Sequence, residues 1–331
     1  MANIYVTEQG AVLRKTGKRV VVQKDEEILL DVPCEKIEAI LIFGNVQFTT
    51  QAVHELFEFG IELALLTRNG RFIGKINSPL TKNIDLRIAQ FRCYDNTNFR
   101  LNLARTIVKG KIQNSLNLIK TFSYNHPEIS FKVEKDAMQT YLGQMETAGD
   151  IDILMGIEGA AAKSYFTGLG KMILGDFTFT GRKKHPAPDA VNALLSFGYT
   201  LFFNEIASLL DGLGFDPFLG YLHSSRYGRA SLASDILEEF RASADRFTLF
   251  LINNRIIKPA DFYANPNGGV YLTREAQKTY FVHYEQNLSR EFTWPENNTT
   301  TTLRQCYRFQ AEKLATFIRG SADYAPFQLE V

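Results

Sequence analysis

Residues 84–122, IDLRIAQFRCYDNTNFRLNLARTIVKGKIQNSLNLIKTF, decide the fold, because here the spacing of apolar residues changes from that of strands to that of helices. Leu86, Ile88 and Phe91, then Leu101, Leu103, Ile107, Val108, Ile112, Leu116, Leu118 and Ile119 recur at helical intervals. Asp95-Asn96-Thr97-Asn98 offers a break, so the pattern predicts one long helix or two in line. Working outward, everything before this stretch reads as strand. Ile4 and Val6 precede Glu8-Gln9-Gly10, Val12 and Leu13 precede a Lys15-to-Lys18 turn, and Val20 to Val22 follow, which is the spacing of hairpins. The runs Ile28 to Val32 and Ile37 to Phe43 continue the sheet, and Ile61 to Leu66 with Phe72 to Ile76 make a last hairpin. One helix interrupts them, from Thr50 to Phe59, with Thr49 or Thr50 as its cap and Gly60 as its end.

Beyond residue 122 further helices fit 131–146, 150–167, 188–211, 231–254, 273–287 and 299–319. Turns are marked by Gly168 to Gly175, by Gly212-Leu213-Gly214 with Asp216-Pro217, and by Asn265 to Gly269. The expectation is an α+β two-domain protein. A β-rich domain of residues 1–80 ends near Asn77-Ser78-Pro79, and an all-α domain of residues 81–331 follows.

The formal net charge is +1, with 11 basic and 11 acidic residues in the first 90 and 26 against 25 in the remainder. A chain that coats itself in nucleic acid is normally more basic, so any grip on DNA has to come from a local patch. Cys34, Cys93 and Cys306 are odd in number and too far apart for a CxxC pair, which points to a reducing compartment and to buried thiols. The N-terminus lacks a basic-then-apolar leader. The longest uncharged apolar stretch, Ala190 to Asn204, is shorter than a bilayer span. A soluble cytoplasmic protein with no membrane partner is expected.

Residues able to carry chemistry fall in three segments. Glu158 lies in MGIEGAAAKSYF, among small residues that let a ligand or another backbone come close. It either faces solvent beside Lys163 or, if buried, needs a partner or an ion. Arg182, Lys183 and Lys184 precede His185-Pro186-Ala187-Pro188-Asp189 and an apolar helix that reads as core. Three successive cations offer a phosphate clamp, although such runs are often only solvated surface.

The third segment is GYLHSSRYGRASLASDILEEFR, residues 220–241. His223 is followed 12, 15 and 16 residues later by Asp235, Glu238 and Glu239. Acids three or four apart share a helical face, and a divalent cation relieves their repulsion. One imidazole with carboxylates suits Mn²⁺ or Mg²⁺ better than structural zinc. Spacing does not choose between Glu238 and Glu239, and an exposed acidic face paired with Arg241 and Arg246 fits it equally. Arg226 and Arg229 bracket Tyr227-Gly228 and offer guanidinium forks to a phosphate, or to the nearby acids.

Taken in this order and at these separations, GIEGAAAKSYF, the basic-Pro-x-Pro-Asp-x-VNALLSFGYTL run and GYLHSSRYGRASLASDILEEFR resemble the CRISPR-associated integrase family, the universal endonuclease subunit of spacer acquisition. The likeness covers essentially the whole chain. It implies that Glu158, His223 and Glu238 bind the divalent metal and that Asp235 matches an additional acid one turn earlier. The third ligand is often Asp in that family, so Glu238 is a departure in length. The resemblance also implies a homodimer built through the β domain. Two such dimers would flank a dimer of a small second acquisition protein, forming a heterohexamer that holds double-stranded DNA.

The function so implied is a metal-dependent DNA endonuclease and integrase that joins short fragments into a CRISPR array by transesterification, in antiviral defence. Arg182, Lys183, Lys184, Arg226 and Arg229 would hold the backbone. A nuclease that joins nothing, acting on branched or single-stranded DNA, is the nearest rival, and a non-catalytic DNA-bridging scaffold is a second.

Overall fold

The computed structural model describes residues 2–76, 83–183, 186–223, 227–266, 268–294 and 298–329. Two compact units divide the chain: residues 1–80 with 271–286, and residues 81–270 with 287–331. The expected boundary residues Asn77-Ser78-Pro79 lie outside the described residues, as do Lys184, His185 and Arg226.

The first unit contains β1 (Ala2–Val6), β2 (Val12–Thr16), β3 (Arg19–Lys24), β4 (Glu27–Pro33), β5 (Ile37–Phe43), β6 (Gln47–Phe48), α1 (Thr50–Glu58), β7 (Glu62–Leu66) and β8 (Phe72–Ile76). These strands form two sheets rather than the single run of hairpins read from the sequence. One has the order β4-β3-β2-β6 and the other β1-β5-β7-β8. β1 does not fold back on β2; it runs parallel to β5, with Ile4 opposite Ile40 and Val6 opposite Ile42. Gly10, at φ 81°, turns the chain between them, and its N–H is held by Asn45 O at 2.7 Å. The expected hairpins β2–β3 and β7–β8 are present, and β4 continues the sheet by pairing antiparallel with β3. Leu13, Val20, Val22, Ile40, Ile42, Leu56 and Leu63 fill the core of this unit. Of the two threonines able to cap α1, Thr49 does so, accepting from Ala52 N at 3.2 Å.

The helical unit holds α2 (Ile84–Asp95), α3 (Thr97–Asn125), α4 (Lys132–Met145), α5 (Ile151–Lys171), α6 (Ala190–Leu213) and α7 (Ser231–Asn253). The break within residues 84–122 is real. Asn96 ends α2 and caps α3, its side chain accepting from Phe99 N at 3.0 Å. Helix α5 continues to Lys171, so Gly168 and Gly170 are helical rather than part of a turn. At Gly168 a Cβ would stand 3.3 Å from Ile119 Cδ1, which places the glycine where α5 closes on α3.

Asp150 and Asp189 cap α5 and α6 through Ile153 N and Asn192 N, each at 2.8 Å. Helix α6 is long and apolar enough to cross a bilayer, but 56% of its most apolar window is buried, and it lies alongside α7. α7 is buried almost all round, its acids included.

Short strands β9 (Phe262–Ala264), β10 (Val270–Leu272), β11 (Glu291–Thr293) and β12 (Thr300–Thr302) punctuate the C-terminal region, where only helices were expected. Between and after them come α8 (Arg274–Ser289) and α9 (Leu303–Ile318). Most of α8 belongs to the first unit, although the sequence pattern groups it with the helices. Its aromatic face explains this. Phe281 stacks on Tyr5 with ring centroids 4.3 Å apart and meets Phe43 at 5.1 Å, while the Tyr5 hydroxyl donates to Glu285 at 2.6 Å.

The C-terminal segment after α9 straps across α3 and α7. Asn114 donates to Glu239 O and Phe327 O and accepts from Leu329 N, all within 2.9 Å. Gly110 admits this strap: a Cβ there would stand 2.6 Å from Pro326 Cβ. Replacing Gly110 with Ala is therefore expected to destabilise the helical unit by about 1–3 kcal/mol through overpacking. Gly143→Ala, where nothing lies within 4 Å, should be neutral or gain up to about 1 kcal/mol from helix propensity. Denaturant unfolding of the two variants measures the contrast.

Candidate metal and nucleic-acid site

The site is built around α7. Asp235, Glu238 and Glu239 are all buried; successive residues on a helix turn by about 100°, which parts Glu238 from Glu239, while Asp235 and Glu239 are told apart by the partners each finds. Asp235 faces the loop that precedes the helix. Its carboxylate accepts from the backbone N–H of Tyr221 at 2.5 Å, of Leu222 at 3.0 Å and of His223 at 3.0 Å. The His223 ring is held by the same group, with Nδ1 2.7 Å from Asp235 Oδ1. Gly220 makes this approach possible, since a Cβ there would stand 2.7 Å from the Ser231 backbone and 2.9 Å from Asp235 Oδ2. Asp235 is thus consumed in shaping the loop and orienting the imidazole.

Glu239 points the other way, into the C-terminal strap. It accepts from the Tyr324 hydroxyl at 2.5 Å, Gln310 Nε2 at 2.8 Å and Phe327 N at 2.8 Å. Burial pushes its carboxyl up to about 7 in spite of these donors. The ambiguity left by the spacing is resolved by direction, and only Glu238 of the adjacent pair faces His223.

Glu238 Oε1 lies 3.8 Å from His223 Nε2. Lys111, from α3, reaches between α5 and α7: its Nζ is 2.6 Å from Glu238 Oε2 and is also hydrogen-bonded to Glu158 Oε1. Arg241, one turn along α7, forks onto Glu238 with Nε at 2.7 Å and Nη2 at 2.8 Å. Burial opposes every one of these charges. Even so, Arg241 and Lys111 hold the Glu238 carboxyl well below the usual carboxylate range. In the same way Glu238 and Glu158 outweigh the burial of Lys111 and raise it above the ordinary lysine value. Glu158, His223 and Glu238 are therefore brought together, but around two protein cations. Among the described residues no group of three carboxylate, imidazole or thiol side chains closes on a single point.

Behind Arg241 stands a further layer. Its guanidinium lies over the Tyr199 ring, 4.6 Å from the centroid, and Arg182 lies over the same ring at 5.3 Å. The Tyr199 and Tyr165 hydroxyls donate to Asp245 at 2.5 and 2.7 Å. Burial pushes the Asp245 carboxyl up to about 6, against the pull of those two hydroxyls.

A cleft of about 840 Å³ opens beside Glu158 and Lys111 and runs along α5, with Lys163, Lys171, Arg182 and Lys183 on its walls. Arg182 is less free than its place in a basic run implies. It donates to Asn192 Oδ1 and Ser196 Oγ, each at 3.0 Å, and to Lys183 O at 2.7 Å. Lys183 is exposed at the rim. Arg229 is half-buried and is not part of the cleft wall, while Lys184 and Arg226 lie outside the described residues.

Sequence reasoning missed Lys111, the central cation of the site, and treated Arg241 only as a counter-ion to an exposed face. The signal for Lys111 was a cation at a position flanked by Ile107, Val108 and Ile112, on a helix whose stripe is otherwise apolar.

The fold, a β-rich unit followed by a helical one, is shared with solved structures. It superposes on a solved casposase bound to integration product with a TM-score of 0.89, at 20% identity, covering 99% of this chain and 93% of that one. A chain of a Cas6-RT-Cas1–Cas2 complex is similar in fold, with a TM-score of 0.85 at 23% identity over 100% of this chain and 36% of that one. The family itself is shown by sequence: the chain belongs to the Cas1 family, whose model, CRISPR associated protein Cas1, matches residues 4–286. A CRISPR-associated endonuclease Cas1 of Chlorobaculum tepidum is 36% identical over 333 residues, covering 98% of this chain and 97% of that protein.

The Asp245 carboxyl gives a signed pH dependence. Its folded pKa, about 6, lies above the ordinary 3.8, so between those values the folded protein holds a proton that the unfolded chain has lost. That contribution to stability is present below about pH 4 and fades as pH rises through about 6. Denaturant unfolding from pH 4 to pH 7 should show this fall in the wild type, and Asp245→Asn should show less of it.

Proposed function

We propose that the chain is a divalent-metal-dependent DNA endonuclease and integrase, which joins short DNA fragments into a CRISPR array. The observation that carries this reading is the convergence of Glu158 and Glu238 on one cation position, Lys111 Nζ, with His223 Nε2 beside Glu238. Two carboxylate oxygens and an imidazole nitrogen are a donor set that fits Mn²⁺ or Mg²⁺. The imidazole is prepared for the role. With Nδ1 held by Asp235, Nε2 is the ring nitrogen turned toward Glu238, the carboxylate–histidine–metal arrangement found at many such centres. When bound, the ion would polarise the phosphodiester and lower the cost of charge developing on the attacking and leaving oxygens.

In the reaction the 3′-hydroxyl oxygen of the incoming fragment attacks a phosphorus at the edge of a repeat. A new P–O bond forms there and the bond to the repeat's 3′-oxygen breaks. The proton lost by the nucleophile is matched by the one gained on the released 3′-hydroxyl, so no water is consumed. Asp235 fixes the imidazole, Arg241 holds Glu238 from behind, and the cationic cleft seats the strand through its phosphates without reading bases. Lys163, Lys171, Arg182 and Lys183 are the residues in place for this. Arg226, Arg229 and Lys184 are assigned to the same DNA contact from the sequence, as a pair of guanidinium forks and part of a run of cations.

The assembly we propose is a homodimer built through the β-rich unit, with two such dimers flanking a dimer of Cas2 across duplex DNA. The solved complex containing Cas1 and Cas2, and the casposase bound to integration product, support this reading by likeness of fold. The relative in Chlorobaculum tepidum is named an endonuclease, and the same site with water as nucleophile would cut without joining.

Incubating the protein with Mn²⁺, a labelled fragment and a supercoiled repeat-bearing plasmid separates the two. Covalent transfer of label is the expected result, and cleavage without transfer overturns the integrase half of the proposal. Glu158→Gln, His223→Ala and Glu238→Gln should each abolish transfer. Asp235→Asn should lower it about 10–100-fold by loosening the imidazole, with the DNA affinity set by the cleft unchanged.

A further inference from the structure

Four charged groups meet at the site with their signs in balance: Glu158 and Glu238 against Lys111 and Arg241. The Lys111, Glu238 and Glu158 side chains are 13%, 3% and 21% exposed, so water screens the cluster only in part and its net charge matters. A divalent cation placed between the carboxylates would leave two positive charges in excess. One protein cation has to give way.

Arg241 is poorly placed to move. It is bound through two nitrogens to Glu238 and held over Tyr199, which Asp245 anchors in turn. Lys111 is a single ammonium on a flexible stem, bonded to the two carboxylates and bordering the open cleft.

We infer that Lys111 occupies the divalent-ion position in the metal-free protein, and that metal loading is a cation exchange in which its ammonium leaves Glu158 and Glu238 for the cleft. The inference rests on the reading of Glu158, His223 and Glu238 as the metal ligands. It adds that the resting site is closed by a cation of the protein itself. Metal then competes with Lys111 at every binding event, and the lysine keeps the two carboxylates together when no metal is present.

The test is Mn²⁺ binding to the full-length protein without DNA. Loss of the free-ion EPR signal is followed on titration, with thermal unfolding measured in parallel. Lys111→Gln removes the competitor, so it should melt below wild type in metal-free buffer, bind Mn²⁺ at least about tenfold more tightly, and gain more from the ion in melting temperature. Lys111→Arg keeps a cation in place and should bind Mn²⁺ no better than wild type. A folded Lys111→Gln protein with wild-type or weaker Mn²⁺ affinity overturns the inference. If Lys111→Gln fails to fold without metal, Lys111→Met, which keeps the apolar stem, is judged by the same criterion.

Glu158→Gln separates the two levels. If it binds Mn²⁺ as wild type does, the metal-site reading fails and takes the inference with it. If it loses the ion while Lys111→Gln binds no better than wild type, only the role of Lys111 falls.

Discussion

The fold of the helical unit depends on compensating negative charge inside α7. A helix with four acids, Asp235, Glu238, Glu239 and Asp245, all buried, is unstable unless each carboxylate finds its own partners, because an unpaired buried charge costs several kcal/mol. The structure meets that demand in four ways. Asp235 takes backbone N–H groups and an imidazole, Glu238 takes Lys111 and Arg241, Glu239 takes the strap, and Asp245 takes two tyrosines. Apart from Arg241, which is on α7 itself, these partners come from other parts of the chain, so α7 is the element against which the loop at 220–223, α3, α5, α6 and the C-terminal segment are registered.

The same compensation sets the precision of the candidate site. Glu238 and Glu239 are adjacent in sequence, yet one faces the cleft and the other the strap, so pulling on either turns the other. Asn114 and Lys111 are likewise within one turn of α3. Asn114 ties the strap to α7 while Lys111 meets the carboxylates. Gly110 sits between these functions, small enough for Pro326 to pass. Lys111, Glu158, Glu238 and Arg241 are thus positioned by packed helices, and His223 by a loop pinned to α7 through Asp235, which suits chemistry that needs precise placement.

Much of this was legible in the sequence. The change of period near residue 84 separates strands from helices, and the break at Asn96 is readable from its capping chemistry. The family likeness singled out Glu158, His223 and Glu238, which the fold brings together. Pairing was less legible: β1 has the spacing of a hairpin partner for β2 but joins β5, because parallel partners are chosen by long-range packing that local alternation does not encode. Helix α8 reads as one more helix of the helical unit, and its contacts assign it elsewhere: Phe281 stacked on Tyr5 and against Phe43, and Glu285 bonded to the Tyr5 hydroxyl. Arg182 reads as a free phosphate ligand because a run of cations carries no sign of the internal hydrogen bonds that hold one of them.

Lys111 is the instructive omission. A search for ligands looks for acids and imidazoles, and a lysine in a buried helical stripe resembles a surface residue of ambiguous phase. Yet two carboxylates that converge repel one another unless a proton, an ion or a protein cation stands between them. In this chain the positive charge is the protein's own, with Lys111 bonded to both Glu158 and Glu238. Its best position is the one that the ion itself would take, since that is where the potential of the two carboxylates is deepest. Lys111, bonded to both, therefore joins two acids that their spacing in the sequence left unlinked.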